Sequence, residues 1–122
     1  MKIGIVSCGV HKKLGFYKAK DLYTSDRFKN DFNEAKRENE KVFIISAKHG
    51  LLDPEKRIFT YNKSINNLTT EERVQLVSKL ENQIKNIPAN SEINLYCFPE
   101  YVQLLKPIFG TNYLIREHSP EL

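Results

Sequence analysis

The sequence predicts an α/β protein: one three-layer α/β/α domain, residues 1–122, on a four-stranded, mainly parallel sheet ordered β-α-β-α-β-α-β. Two observations carry this. The runs KIGIVSC (2–8) and KVFIISA (41–47) are apolar without alternation, as strands buried on both faces are. Between and after them lie segments with helical periodicity, and strands alternating with helices imply parallel pairing through right-handed crossovers. At 122 residues the chain fits one domain with an independent core.

Each element has its own warrant. From Ser25 to Asn39, Phe28, Phe32 and Ala35 fall at i, i+4 and i+7, one apolar stripe on a charged helix. Thr69 and Glu72 make a capping box opening a second helix, with Val74, Val77, Leu80, Ile84 and Ile87 at helical spacing before Pro88 stops it. EINLYCF (92–98) reads as a weaker strand. Pro99 suits the first turn of a third helix running through Leu105, which Pro107 ends or kinks. TNYLIRE (111–117) alternates and is expected at an edge. Lys48 to Leu68 reads as one long irregular stretch, and loops of that length are usually functional or flexible.

Composition narrows the function. The longest apolar runs are strand-sized, so no membrane span is expected. The N-terminus lacks the cleavage site and long apolar centre of a secretory signal, which predicts a cytoplasmic protein. Two cysteines, Cys8 and Cys97, are too few for a disulfide framework and are expected as buried thiols. Three histidines without metal-ligand spacing argue against a metal. Neither a P-loop nor G-x-G-x-x-G occurs, so no cofactor is expected. The net charge of +4 is uneven: residues 1–20 hold five lysines and no carboxylate, a local attraction for phosphate or a plain solvated face.

In open α/β sheets ligands bind outside the carboxyl ends of the strands. Those ends carry Ser7-Cys8-Gly9, Lys48-His49-Gly50, Cys97-Phe98 and Arg116-Glu117-His118. The loop SCGVHKKLG offers a serine, a glycine and two lysines, Lys12 and Lys13, to bind an anion, or is only solvated. Thr24 or Ser25 is expected to cap a helix whose N–H groups suit a phosphate. Lys48, His49 and Asp53 can divide charge stabilisation and proton transfer, though Asp53-Pro54 is also a turn starter. Tyr23 and Tyr61 can cover a planar ligand or anchor loops to the core.

IVSC…KKL, AKDLYTS..F, SAKHGLLDP and TYNKSI resemble, in order and spacing, a bacterial and phage domain family of unknown function. The likeness covers residues 3 to about 65, and the chain is more distantly similar to YaaA-like peroxide-stress proteins and to the archaeosine synthase and uracil-DNA-glycosylase-like α/β core. It singles out Ser7, Cys8, Lys13, Asp21, Tyr23, Ser25, Ser46, Lys48, Gly50, Asp53 and Tyr61. Two departures stand out. The first loop is one residue longer, with His11 where many relatives have lysine. Relatives also continue beyond the last strand with a glycine-rich segment and a further helical piece, whereas this sequence ends at REHSPEL. If that segment closes a pocket, binding without turnover, or completion by a partner, is expected.

The resulting expectation is a nucleotide- or nucleic-acid-directed enzyme of N-glycosidase or base-exchange type. Lys48 would stabilise the departing base, Asp21 or Asp53 would shield the sugar cation or orient water, and Ser7, Cys8, Lys13, Tyr23, Ser25, His49, Gly50 and Tyr61 would hold the ligand. A free nucleotide or single strand suits so small a chain better than duplex, which requires base flipping. The rival expectation is a non-catalytic nucleotide- or nucleic-acid-binding accessory protein. Oligomeric state is not legible.

Overall fold

A computed structural model describes residues 1–9 and 11–118. Its strands are β1 (Lys2–Ser7), β2 (Phe16–Lys18), β3 (Lys41–Ser46), β4 (Gly50–Leu52), β5 (Arg57–Phe59), β6 (Glu92–Tyr96) and β7 (Leu114–Glu117). Its α-helices are α1 (Ala19–Leu22), α2 (Asp26–Glu38), α3 (Thr70–Ile84) and α4 (Pro99–Phe109). The main sheet has five strands, ordered β4-β3-β1-β6-β7, and all pairs but β3–β4 are parallel.

The four-strand expectation is therefore corrected. The stretch from Lys48 to Leu68 is not irregular: β4 turns back antiparallel on β3, β5 pairs with β2 in a separate ribbon, and a 3-10 turn covers Ile65–Asn67. Three-residue strands are too short to show a period, so the pattern could not reveal them. The capping signals hold, although α3 ends at Ile84, short of the expected stop at Pro88. Ser25 and Thr69 cap α2 and α3, the latter through the full capping box. β7 lies at the sheet edge. Pro107, expected to end or kink the third helix, instead lies inside α4, which continues to Phe109.

β1 is the central strand, and Ile3, Ile5 and Val6 are essentially sealed from solvent. α2 packs across β1, β3 and β6. It can come close because Gly4 lacks a side chain: a Cβ there would stand 2.8 Å from Asn39 Nδ2 and 3.3 Å from Ala35 Cβ. α3 meets α4 and β4. Its buried residues are Leu76 and Leu80, whereas Val74, expected on the apolar stripe, is 64% exposed.

The connections from β1 and β6 leave in opposite directions, β1 through α2 to β3 and β6 through α4 to β7. This is the topological switch point, where a doubly wound sheet opens a crevice at its carboxyl edge. None of the helices among the described residues is long and apolar enough to cross a membrane.

Candidate functional site

A cavity of about 470 Å³ occupies that crevice, within the range of small-molecule sites. Its walls come from three places: Cys8, Gly9 and Lys12 after β1, the segment Asn62–Asn67, and Phe98, Glu100 and Tyr101 at the start of α4. The switch-point geometry explains the first and last of these. The middle wall is set by the buried tyrosine that precedes it.

Tyr61 is the hub. Its hydroxyl lies 2.7 Å from the Tyr23 hydroxyl and 2.7 Å from Ser46 Oγ, so the long loop is bound to the end of β3 and to the start of α2. Ser46 Oγ also accepts the backbone N–H groups of Lys48 and His49 at 3.2 Å each, which shapes the turn out of β3. Burial holds the phenols of Tyr23 and Tyr61 well above their ordinary pKa, with Cys8 adding to it, so both remain neutral.

Two ammonium groups converge on this hub. Lys12 Nζ lies 4.6 Å and Lys48 Nζ 5.8 Å from the centre of the Tyr61 ring. Among the described residues neither is paired with a carboxylate. His49 sets its ring edge-on to Tyr61 at 5.4 Å. Burial lowers its pKa, and the charges of Lys48, Lys79 and Lys56 lower it further, so the ring is neutral near pH 7.

The residues singled out in the sequence divide accordingly. Tyr23, Ser46, Lys48, His49 and Tyr61 are brought together, with Cys8 on the cavity wall. Ser7 and Ser25 have structural partners instead: Ser7 Oγ accepts the Phe98 N–H at 3.1 Å, and Ser25 Oγ accepts the Phe28 N–H at 3.2 Å. Gly50 serves the turn into β4, with φ of 70°. Lys13 points to a different groove, where Asp21 also lies, along with Lys29 and Lys36 of α2. Its ammonium rests 5.2 Å from the Tyr17 ring centre.

Asp53 is at the wrong end of the sheet. Because β4 runs antiparallel to β3, its far end reaches the amino edge, and Asp53 lines a groove there with Met1, Ile3 and Lys41. Its carboxylate accepts the Glu55 N–H at 2.9 Å, the work of a turn starter. The stacking expected of Tyr23 is also corrected, since that ring is 1% exposed and presents no free face.

Glu100 and Tyr101 are what the sequence reading missed, while Lys12 and Phe98 were placed near the strand ends without being singled out as site residues. Lys12 bridges to Tyr23 in a short antiparallel contact, and neighbouring residues of an extended strap face opposite ways, which sends Lys12 and Lys13 to different sides. Tyr101 hydroxyl lies 3.4 Å from Cys8 Sγ across the cavity wall. The second thiol, Cys97, is buried and donates to the Ile5 carbonyl at 3.2 Å. The guanidinium of Arg27 stacks 3.9 Å over the Phe98 ring, holding that wall in place.

The expected ionic end of β7 forms no part of this cavity. His118 stacks on Tyr96 at 4.5 Å and meets Asn94 Oδ1 at 3.0 Å, in another groove. No group of three or more His, Cys, Asp and Glu side chains suited to a metal occurs among the described residues. Val10 of the first loop and the last four residues, SPEL, lie outside the described residues.

The fold and the cavity define a doubly wound α/β protein with a polar, cation-flanked crevice at its switch point. The chain belongs to the family of unknown function DUF6884, whose model matches residues 3–116. No curated protein matches it.

Proposed function

We propose that the chain acts on a nucleotide or single-stranded nucleic acid at the switch-point cavity, as an enzyme of N-glycosidase or base-exchange type. The observation that supports this most directly is the approach of two ammonium groups, with no carboxylate partner among the described residues, to the Tyr61 ring: Lys12, which lines the cavity, and Lys48, which is not on its wall. An anionic ligand on the cavity wall gains the attraction of the Lys12 ammonium. The Phe98 side chain and the amides of Asn62, Asn66 and Asn67 on the wall suit a base that needs both contact and hydrogen bonds. The likeness to glycosylase-type cores adds to the case for base chemistry.

Cleavage of the glycosidic C–N bond sends its electron pair to the base and leaves a sugar cation. Lys12 and Lys48 stabilise the developing negative charge on the base. The carboxylate role passes from Asp21 and Asp53 to Glu100, the carboxylate on the cavity wall, which shields the cation and orients the water that replaces the base. The departing base takes up a proton as water adds to the sugar.

The test is incubation with nucleosides, nucleotides and a short oligodeoxynucleotide, followed by chromatography for free base. Release is expected, and Glu100→Gln is expected to abolish it while mononucleotides still raise the melting temperature. Stabilisation without release by the native protein selects the second reading, a non-catalytic binding module, which the lack of a buried carboxylate among the described residues of the cavity wall favours. Neither release nor stabilisation overturns both.

A further inference from the structure

The ribbon β2–β5 has two unlike faces. Phe16 pairs with Phe59, Tyr17 with Ile58 and Lys18 with Arg57. Period-two alternation turns Tyr17 and Ile58 to the body, where Ile58 is buried. It leaves Phe16, Phe59, Lys18 and Arg57 outward. Phe16 is 47% and Phe59 70% exposed, and their rings stand 4.5 Å apart at 43°.

Single exposed apolar side chains need no explanation, but two phenylalanines side by side on a surface ribbon do. Cross-strand pairing alone stabilises the ribbon only modestly, and it does not require aromatic rings facing water. The surrounding charge points to the occupant. Arg57 lies one step along the same face, beside Lys18, whose ammonium is shared with Glu55 at 2.9 Å. Leu14, in the loop before the ribbon, is 87% exposed.

The ribbon is also fastened to the loop that precedes it. Thr60 Oγ1 donates to the Lys13 carbonyl and accepts the Gly15 N–H at 2.8 Å, and the Thr60 N–H reaches the Gly15 carbonyl at 2.9 Å. The next residue is Tyr61, the hub of the site. Asn62, the first residue of the middle cavity wall, follows only three positions after Phe59, so the ribbon and that wall are consecutive along the chain.

We infer that the Phe16–Phe59 pair is a stacking platform for unpaired bases of a single-stranded nucleic acid whose end, or one of whose nucleotides, enters the cavity. This deepens the reading of the cavity as a nucleotide site by making the ligand a polymer. Aromatic rings stack on any base, and flanking cations follow the phosphates, the combination used for sequence-tolerant single-strand binding. An acidic peptide would satisfy the cations but gives the paired rings no planar partner.

The chain has no tryptophan, so Phe59→Trp places a single fluorescent reporter on the platform. The probes are oligothymidylate of about ten nucleotides, a span one such surface can cover, an abasic oligonucleotide of equal length, and polyglutamate. Quenching by oligothymidylate, with weak binding and no quenching by the other two, is expected. A Phe16→Leu/Phe59→Leu variant, which keeps apolar bulk on the ribbon, is expected to bind oligothymidylate roughly tenfold more weakly. Its melting temperature and its stabilisation by mononucleotides should be unchanged.

Equal binding of the abasic probe or polyglutamate, or dimerisation of the native protein that the leucine pair abolishes, overturns the platform. The two readings fail separately. Mononucleotide stabilisation without oligonucleotide quenching removes the platform alone. Quenching without mononucleotide stabilisation removes the cavity reading and leaves the platform.

Discussion

The hydroxyls of Tyr23 and Tyr61 lie 2.7 Å apart, although 38 residues separate them in the chain. That contact, with Ser46 as a third member, joins the loop before α2 to the end of β3 and to the segment lining the cavity. Three hydroxyls with so little solvent access satisfy one another, and removing one leaves its partners short of a bond.

Tyr61→Phe should therefore destabilise the protein by about 1–3 kcal/mol, the range for an orphaned buried polar group. Tyr23→Phe made on top of Tyr61→Phe should cost less than Tyr23→Phe alone, because the shared bond is already gone. A urea-unfolding double-mutant cycle measures this, and strict additivity would show that the two hydroxyls are not coupled.

His49 predicts the pH profile. Its folded pKa lies below its ordinary value of 6.5, through burial first and the neighbouring lysines second. A depressed histidine pKa means that the unfolded chain binds the proton more readily, so stability is complete above about pH 6.5 and declines as pH falls below it towards the folded pKa. The same unfolding experiment at stepped pH should show this decline, and His49→Gln should flatten it.

Gly50→Ala should be among the most damaging single-methyl changes. Gly50 has φ of 70°, which costs an alanine roughly 1–2 kcal/mol. Its Cβ would also meet the amide of Gln83, which accepts the Leu51 N–H at 2.8 Å and donates to the carbonyls of His49 and Leu51 at 3.2 and 3.1 Å. Thermal unfolding should show a loss above the backbone term alone. Made in a Gln83→Ala background, the same change should cost only that backbone term.

Lys12→Ala and Lys13→Ala should behave differently despite being neighbours. Lys12 faces Tyr61 and the cavity, whereas Lys13 faces Tyr17 and the groove beside α2. Stabilisation by a mononucleotide, read by thermal shift, should fall roughly tenfold in apparent affinity for Lys12→Ala, the scale of one charge-assisted hydrogen bond. It should be nearly unchanged for Lys13→Ala. Equal effects would mean that only the overall charge matters.

What the sequence made legible were the features with a local cause. Unbroken Ile and Val runs marked β1 and β3, Thr69 with Glu72 marked the start of α3, and Pro99 marked the first turn of α4. Each reports on residues within a turn or two of itself. The edge position of β7 was legible for the same reason, since alternation reveals a strand covered on one face only.

Fragments without a period escaped. β4, β5 and β2 are three residues each, and what makes them strands is the partner they pair with. That pairing also decided the site. The antiparallel return of β4 carried Asp53 to the amino edge, and the Lys12–Tyr23 bridge sent Lys12 rather than Lys13 to the cavity.

The sequence by itself determined the alternation of elements, the caps and the polar ends of the buried strands, because hydrophobic period and capping are properties of contiguous residues. Only the tertiary structure decided which polar groups meet. Strand order, pairing direction and the facing of each side chain depend on contacts between residues far apart in the chain, and one step of register reverses a side chain's face.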